Sequence, residues 1–269
     1  MICFPNAKIN IGLNIIEKRQ DGFHNIESVF YPINWKDALE VIDDKAVKLE
    51  TSGLLIEGDS SNNLVFKAYE LLKPLIPSKS KPHIHLHKVI PMGAGLGGGS
   101  ADGAFALKLL NDFYHLNLST VELEQKAAQL GSDCPFFIKN KPVFCFDRGT
   151  KFKDIHLKLA DYHVVLVNPN IHIGTAEAYS LIRPKKSKIQ LMESIKSPIE
   201  NWKNSITNDF ETPLMLKYPR LSIIKNDLYQ AGAVYASMTG SGSTLYGIFR
   251  NEININQTFA KYTVWQGKM

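Results

Sequence analysis

The feature that most constrains this sequence is a glycine-rich stretch at residues 91–104, which carries six of the chain's 18 glycines. Alternating polar and apolar residues at 83–90 predict a strand before it, and the apolar spacing at 101–114 predicts a helix after it. Glycines let successive backbone N–H groups turn toward one anion, and a helix N-terminus adds unpaired donors and about half a positive charge. The stretch therefore indicates a phosphate-binding loop. A tight turn that caps a helix is the alternative, but one or two glycines would suffice for it.

Spacing separates this loop from two common phosphate-binding loops. A Walker A loop ends in Gly-Lys-Ser/Thr, whereas residues 99–101 are Gly-Ser-Ala. Residues 93–98 fit the dinucleotide pattern G-x-G-x-x-G, but that pattern also requires a following strand that ends in a ribose-binding acid about twenty residues further on. The acid at that distance, Glu122, instead forms a predicted capping box with Ser119 at the start of another helix. Two successive helices argue against a Rossmann unit.

The composition narrows the class of protein further. With 269 residues, of which 44% are hydrophobic and 21% charged, the chain suits one large or two medium globular domains. Its net charge of +5 fits anionic small substrates better than a nucleic acid track. The three cysteines form no CxxC pair, and no apolar run approaches the ~18 residues of a membrane span. We therefore expect a soluble, cytoplasmic protein that binds neither nucleic acid nor membrane. The sequence does not determine the oligomeric state, for which our expectation is a monomer or weak homodimer.

The pattern Pro-x-x-x-Gly-Leu-Gly-Gly-Gly-Ser-Ala, at residues 91–101, resembles the glycine loop of the GHMP kinases, a family of small-molecule kinases. Residues 5–10 resemble the family's first motif and residues 239–244 its third, in the family's order. The resemblance implies a two-domain α+β GHMP kinase fold. Its first domain would be ribosomal protein S5 domain 2-like and bind ATP, and its second would be a ferredoxin-like α/β sandwich. A polar, irregular stretch leads us to divide these domains at residues 1–152 and 153–269.

Three segments resemble one branch of that family, whose substrate is 4-diphosphocytidyl-2-C-methyl-D-erythritol. The first motif supplies Lys8 and Asn10 on the polar face of a predicted strand, where pattern alone favours solvent but the resemblance favours a substrate pocket. Phe23 and His24 match an element that approaches the cytosine, and Tyr179 would face the ring from the opposite side. The resemblance implies ATP-dependent phosphorylation of the 2-hydroxyl of this substrate, a step of the non-mevalonate isoprenoid pathway.

The candidate catalytic residues are Lys8 and Asp133. By sequence pattern alone, Asp133 is a helix N-cap that precedes a proline in the first turn. Residues 131–135, however, resemble the element that supplies the catalytic aspartate of GHMP kinases, with Lys8 holding the carboxylate ionised. Whether Asp133 accepts the hydroxyl proton or only orients the hydroxyl stays open. One departure from the family pattern is Asp102, where an amide is more usual.

The resemblance also assigns the nucleotide contacts. Asn63, which begins a predicted helix, would lie near the adenine, and Gly240 and Ser241 of the third motif would lie against the substrate and phosphates. Mg²⁺ would accompany ATP, with Ser100 as one candidate contact. Lys88 either adds charge for the phosphates or faces solvent. The ATP phosphates are assigned to the whole loop, which comprises Pro91, Met92, Gly93, Ala94, Gly95, Leu96, Gly97, Gly98, Gly99, Ser100 and Ala101.

Two alternatives to this function remain open at the level of sequence. A GHMP kinase that acts on mevalonate or homoserine would keep all three motifs but has no need of Phe23, His24 and Tyr179. A non-enzymatic RNA-binding protein is a second alternative, since the family's first domain shares its architecture with a ribosomal protein domain. RNA binding would require basic and aromatic residues clustered on one surface, and the sequence shows no such pattern.

Overall fold

A computed structural model describes residues 1–186, 190–254 and 258–269 of the protein. The strands in these ranges are β1 (Ile2–Cys3), β2 (Asn6–Lys18), β3 (His24–Lys36), β4 (Ala38–Asp43), β5 (Lys48–Gly53), β6 (Pro82–Lys88), β7 (Val143–Phe146), β8 (Lys151–Asp154), β9 (His163–Asn168), β10 (Tyr235–Met238), β11 (Leu245–Phe249) and β12 (Thr263–Lys268). The helices are α1 (Leu64–Leu72), α2 (Gly98–Phe113), α3 (Thr120–Leu130), α4 (Cys134–Lys139), α5 (Thr175–Ser180), α6 (Leu191–Ser194), α7 (Trp202–Ser205), α8 (Glu211–Lys217) and α9 (Pro219–Gln230).

The chain divides into two compact units, and the division does not follow a single cut along the sequence. The first unit comprises Met1–Ala7, Trp35–Met92 and Gly97–Lys141. The second comprises Lys8–Asn34, Gly93–Leu96 and Pro142–Met269. The glycine loop therefore contributes residues to both units. The predicted domain boundary at 152/153 stays a prediction.

The first unit contains a sheet of order β1-β4-β6-β5, and α2 contacts its strands β4 and β1. β4 pairs antiparallel with β6, whereas β5 pairs parallel with it, and the parallel pair is connected through α1. Alternation along β4 and β6 buries one face of the sheet, which includes Leu39, Val41, Ile84 and Leu86. This connection directs β6 into the glycine loop and the chain from there into α2.

Helix α2 begins three residues earlier than the predicted start at Ala101, because the glycine run itself forms its first turn. The N-cap is Gly97, whose φ of 69° lies in the left-handed region that favours glycine. Farther along, α2 packs on α1 at Gly103, where an added Cβ would lie 2.9 Å from Leu64 Cβ. The next helix, α3, has the predicted capping box: Glu122 N donates to Ser119 Oγ at 3.3 Å, and Ser119 N donates to Glu122 Oε2 at 2.8 Å.

The second unit contains an antiparallel sheet of order β10-β11-β9-β12 and a sheet of order β2-β3-β7-β8. β10 and β11 form an antiparallel hairpin around the third motif, residues 239–244. A core cluster joins strand residues such as Val165 and Met238 to helix residues such as Leu221 and Ile224. Among the described residues, none of the helices has the length and apolarity to cross a bilayer.

Candidate active site

The predicted site residues are distributed over both units. The first unit holds Asn63, Pro91, Met92, Gly97, Gly98, Gly99, Ser100, Ala101 and Asp133. The second holds Lys8, Asn10, Phe23, His24, Gly93, Ala94, Gly95, Leu96, Tyr179, Gly240 and Ser241. Within each unit, contacts determine which of these residues lie together.

The N-terminus of α2 is the anion-binding feature of the first unit. Ala101 is the first residue of α2 whose backbone N–H makes the i to i−4 hydrogen bond of a helix, donating to Gly97 O at 2.9 Å. The preceding N–H groups of this 16-residue helix have no partner within the helix, and the helix dipole adds positive potential there. A Cβ added at Gly99 would meet no atom within 4 Å, so the first turn is open on this side. The turn can therefore bind a phosphate group through its backbone.

A cavity of about 260 Å³ adjoins this turn within the first unit. Gly99 lines it together with Asn63, whose side-chain oxygen caps α1 by accepting from Val65 N at 2.9 Å. The apolar part of the wall comes from Leu49, Ile56, Leu64 and Met92. Polar side chains such as Asn62 and Ser60 complete the wall, and a cleft that combines apolar surface with hydrogen-bonding groups suits a nucleobase. That adenine occupies this cavity stays a prediction.

Lys88 neither reaches into an anion site nor faces solvent, because two carboxylates bind it in the interior. Its side chain is 1% exposed, and Nζ donates to Asp37 Oδ2 and, at 2.8 Å, to Asp102 Oδ2. Asp37 Oδ1 also accepts from Val89 N and Ile90 N, at 2.5 and 2.8 Å. No local sequence pattern indicates this cluster, since its members come from three separate segments.

Asp102 is the less stabilised of the two carboxylates. Its Oδ1 has no hydrogen-bond partner among the described residues. Burial raises the pKa of Asp102 to about 7; the charge of Lys88 lowers it and that of Asp37 raises it. The Lys88 ammonium lies 3.0 Å from the position that a Gly98 Cβ would occupy. A proton-binding cluster therefore lies directly beneath the first turn of α2.

Asp133 lies beside the same turn, immediately before α4. The Ser100 hydroxyl hydrogen-bonds to the sulfur of Cys134, the first residue of α4. Burial raises the pKa of Cys134 to about 12, so this residue stays a thiol. The expected N-cap role of Asp133 is wrong in one respect: its side chain makes no capping hydrogen bond in the described structure, and its own φ and ψ of −84° and −16° are helical. The Asp133 carboxylate therefore does not cap α4.

The residues near this turn fit a Mg²⁺ ion that is held mainly by nucleotide phosphates. In the described ranges, no group of three or more His, Cys, Asp or Glu side chains is placed to hold a metal ion. Mg²⁺ at nucleotide sites is typically bound through one or two protein oxygens together with substrate phosphates and water. The Ser100 hydroxyl, in the first turn of α2, is an oxygen of this kind and keeps a lone pair beyond its hydrogen bond to Cys134.

In the second unit, Lys8 is held by the glycine loop and by Asn10. Lys8 is 3% exposed; its Nζ donates to Asn10 Oδ1 at 2.5 Å and to Gly95 O at 3.3 Å, and it lies 4.8 Å from the centroid of the Phe30 ring. The Lys8 backbone N–H also donates to Leu96 O at 2.9 Å. The ammonium is thus fixed next to the loop segment 93–96.

Asn10 has its amide groups satisfied inside the second unit. In addition to accepting from Lys8, it donates from Nδ2 to Ser28 Oγ at 2.8 Å, and its backbone N–H donates to Thr239 Oγ1 at 3.0 Å. The Thr239 hydroxyl in turn donates a hydrogen bond to Gly95 O at 2.9 Å. Sequence reasoning named Gly240 and Ser241 but missed Thr239. The available signal was its position as the first residue of the third motif.

The second and third glycine motifs contact each other through their backbones. A Cβ on Gly95 would lie 2.1 Å from Thr239 O, and a Cβ on Gly240 would lie 3.1 Å from Gly95 Cα. Both glycines have positive φ, 77° and 57°. Asn208 Nδ2 donates to Met238 O and Gly240 O at 2.8 and 2.9 Å, which fixes the turn after β10. Glycine is therefore required on both sides of this contact.

The three aromatic residues predicted to surround a pyrimidine are not equivalent. His24 stacks on Tyr179, with centroids 4.7 Å apart and planes 25° apart, and Tyr179 makes an edge contact with Phe210 at 5.0 Å. Phe23 is 55% exposed and has the Arg148 guanidinium 4.3 Å from its ring centroid. Burial, and then the charge of Lys18, lower the pKa of His24, so its imidazole is neutral at pH 7.

An anion-binding helix N-terminus preceded by a glycine loop is the arrangement expected of a small-molecule kinase. Residues 63–141 match the model of the GHMP kinases N terminal domain, and residues 191–262 match the GHMP kinases C terminal model. The chain belongs to the GHMP kinase family. The predicted α+β fold of this family is confirmed.

Similar proteins point to one branch of the family. A relative from Parabacteroides distasonis, named 4-diphosphocytidyl-2-C-methyl-D-erythritol kinase, is 45% identical over the full length of both chains. A Bacteroides fragilis protein of the same name is 50% identical over 96% of this chain and 95% of its own. A solved 4-(cytidine 5'-diphospho)-2C-methyl-D-erythritol kinase superposes with a TM-score of 0.83 at 25% identity, covering 99% of this chain and 98% of the other.

Proposed function

We infer that the protein transfers the γ-phosphoryl group of ATP to the 2-hydroxyl of 4-diphosphocytidyl-2-C-methyl-D-erythritol, giving the 2-phosphate and ADP. The observation that carries this proposal is the identity of 45–50% to relatives of that name over essentially whole chains. The presence of Phe23, His24 and Tyr179 supports it, because a kinase for mevalonate or homoserine has no pyrimidine to bind. The reaction would serve isoprenoid precursor synthesis without mevalonate.

Nucleotide binding follows from the first unit. The N–H groups of the first turn of α2 would hold the phosphates, and the cavity beside Gly99 and Asn63 would take the adenine. Phosphoryl transfer depends chiefly on alignment and on neutralising the charge spread over the transferred group. Ser100 would help to hold Mg²⁺, which when bound would supply part of that neutralisation. The remaining protein contribution consists of oriented dipoles and of Lys8.

Asp133 is the group we assign to the acceptor hydroxyl. Its position next to the Ser100–Cys134 contact places it at the first turn of α2, and its carboxylate is not used to cap α4. An ionised carboxylate there would accept the hydroxyl proton or orient the hydroxyl for attack on the γ-phosphorus. Lys8 would stabilise the negative charge of the transferred group, held in place by Asn10 and Gly95.

The base of the substrate is assigned to the aromatic residues of the second unit. The exposed ring of Phe23 offers a stacking surface, and the neutral His24 imidazole offers one donor and one acceptor to a pyrimidine edge. The His24–Tyr179 stack would form the opposite, less mobile wall, since Tyr179 is packed against the core residue Phe210.

We place this reaction in the cytoplasm. None of the three cysteines, Cys3, Cys134 and Cys145, forms a disulfide bond, and the last two are buried. Cysteines without disulfide bonds are usual in a reducing compartment. ATP, which the family's chemistry requires, is also available there. A monomer or weak homodimer remains our expectation for the state of assembly.

The proposal is tested by measuring ADP release from ATP with four acceptor conditions: the cytidyl substrate, mevalonate, homoserine and no acceptor. We expect ADP release at a rate far above background only with the cytidyl substrate. Equal rates with and without acceptor would reduce the activity to ATP hydrolysis. Preferential turnover of mevalonate or homoserine would assign the chain to another branch of the family and refute the proposed substrate.

A further inference from the structure

The ring of Phe23 is exposed, yet its surroundings are ordered by charged groups. Phe23 follows the turn after β2, where Gly22 has a φ of 84°. Its backbone N–H donates to Asp21 Oδ1 at 3.1 Å. Arg19 Nε donates to both carboxylate oxygens of Asp21, at 3.2 and 3.1 Å. An exposed aromatic ring on a hairpin turn normally has rotational freedom, which would weaken it as a stacking surface.

Arg148 covers one face of this ring. Arg148 lies in the turn between β7 and β8, and its guanidinium carbon is 4.3 Å from the Phe23 centroid. Its Nη1 is also 3.9 Å from Asp21 Oδ2. Although desolvation alone would raise the pKa of Asp21, the Phe23 amide and the charges of Arg19 and Arg148 lower it, so the carboxylate is ionised at neutral pH. Asp21 thus orients both partners of the stack.

The two turns that meet at Phe23 are also connected to each other. Arg19 Nη1 donates to Asp147 Oδ1 at 2.6 Å, and Ile26 N donates to the Asp147 backbone carbonyl at 2.7 Å. Lys151 pairs with the other Asp147 oxygen at 3.2 Å. Because Asp147 immediately precedes Arg148, these contacts hold the β7–β8 turn against the Phe23 turn. The position of the Arg148 guanidinium over the ring is therefore set by the contacts between the two turns and does not depend on a single surface ion pair.

We propose that Arg148 is a positioning residue for substrate specificity: by stacking on one face of Phe23, it fixes the ring so that the other face takes the pyrimidine. This inference rests on the proposed function. The planar, weakly hydrated guanidinium suits such a stack, whereas an ammonium would lack the planar contact. The positive charge over the outer face also increases the attraction between the ring and an electron-rich partner. A direct contact of Arg148 with the substrate diphosphate is the competing role, and the test separates the two.

The test compares steady-state kinetics of the wild type, Arg148→Ala, Arg148→Lys and Lys153→Ala. For Arg148→Ala, we expect the KM of the cytidyl substrate to rise about two- to fivefold, the range of an exposed cation–π contact, with kcat and the KM of ATP unchanged. Arg148→Lys should lie between wild type and Arg148→Ala. Lys153→Ala removes a positive charge from an exposed residue of the same hairpin that the positioning argument does not use, and we expect it to behave as wild type.

A second comparison measures the coupling between Arg148 and Phe23. In the Phe23→Ala background, Arg148→Ala should raise the KM no further, because the ring that it positions is gone. An unchanged KM in the single variant, or an undiminished effect in the Phe23→Ala background, would overturn the positioning role; the latter would indicate direct contact with the diphosphate. Failure of the wild type to phosphorylate the cytidyl substrate would refute the proposed function instead, so the two failures are distinguishable.

Discussion

The side-chain oxygen of Asn10 accepts a hydrogen bond from the Lys8 ammonium at 2.5 Å. The two residues are neighbours on one face of β2, and both are nearly inaccessible to solvent, at 3% and 2% exposure. The Asn10 amide nitrogen is bound to Ser28 Oγ, so the amide cannot rotate away from Lys8 without losing a second hydrogen bond. Asn10 thus holds Lys8, the lysine that we propose as catalytic, and substrate binding by Asn10 stays a prediction.

Replacing Asn10 by alanine should therefore lower kcat more than it raises either KM. Losing a charge-assisted hydrogen bond of about 1.5–3 kcal/mol corresponds to roughly a 10- to 100-fold decrease if the contact matters fully in the transition state. Steady-state kinetics with both substrates measure this effect. Ser28→Ala is the matched control, since it removes the other anchor of the amide and should have a smaller effect. A large rise in the cytidyl-substrate KM at constant kcat would instead support direct substrate binding by Asn10.

Asp133→Asn should lose most of its turnover while the KM values for ATP and the cytidyl substrate change little. The substitution keeps the shape of the side chain but removes the negative charge that would accept or orient the hydroxyl proton. Because the Asp133 side chain makes no capping hydrogen bond, the substitution does not remove the ~1 kcal/mol typical of a helix cap. Turnover near the wild-type level would remove Asp133 from the mechanism.

Asp102→Asn should stabilise the protein, and more so at high pH than at low pH. The pKa of Asp102 is about 7 in the folded protein, whereas an unfolded aspartate titrates near ~3.9. Between these values the folded state keeps a proton that the unfolded state has released, so this group's contribution to the free energy of unfolding falls as pH rises. Asparagine has no such titration.

Denaturant unfolding of Asp102→Asn and wild type at about pH 4 and pH 8 checks this expectation. The stability difference should grow over this interval, on the order of a few kcal/mol at most. Asp112→Asn is the control, because Asp112 is an exposed acid on the same helix and should show no comparable trend. A difference that is independent of pH would show that Asp102 is ionised throughout, with Lys88 as a sufficient partner.

The close contact between Gly95 and Thr239 predicts contrasting effects for two loop substitutions. Gly95→Ala combines a φ of 77° with a Cβ 2.1 Å from a backbone oxygen and should destabilise the protein by at least ~2 kcal/mol. Gly99→Ala has no neighbouring atom within 4 Å of its Cβ and lies in the first turn of α2, so its stability should change by less than ~1 kcal/mol. Thermal unfolding measures both. Equal stability of the two variants would contradict the close approach of these motifs.

Sequence reasoning succeeded where the determinant is local. The capping box of Ser119 and Glu122 involves side chains three residues apart, so the pattern alone specifies it. The glycine loop was recognisable for a similar reason, although α2 starts earlier than predicted because glycines are poor indicators of helix. The family resemblance then supplied the fold, which periodicity could not have determined.

Prediction failed where partners are distant in sequence. Lys88 is neutralised by Asp37, 51 residues away, and no local pattern announces that pairing. The same is true of Arg148 on Phe23, which depends on two hairpin turns being held together. The expected cap at Asp133 also failed, since a cap requires extended backbone and this residue is helical.

Transfer to the 2-hydroxyl is tested most directly by analysing the product of the wild-type protein with ATP and the cytidyl substrate by phosphorus NMR. We predict one new phosphomonoester resonance, coupled to the methylerythritol moiety at C2, that appears in proportion to ADP while the diphosphate resonances remain. A product phosphorylated at another hydroxyl, cleavage of the diphosphate, or ADP formation without any new phosphomonoester would contradict the proposed reaction.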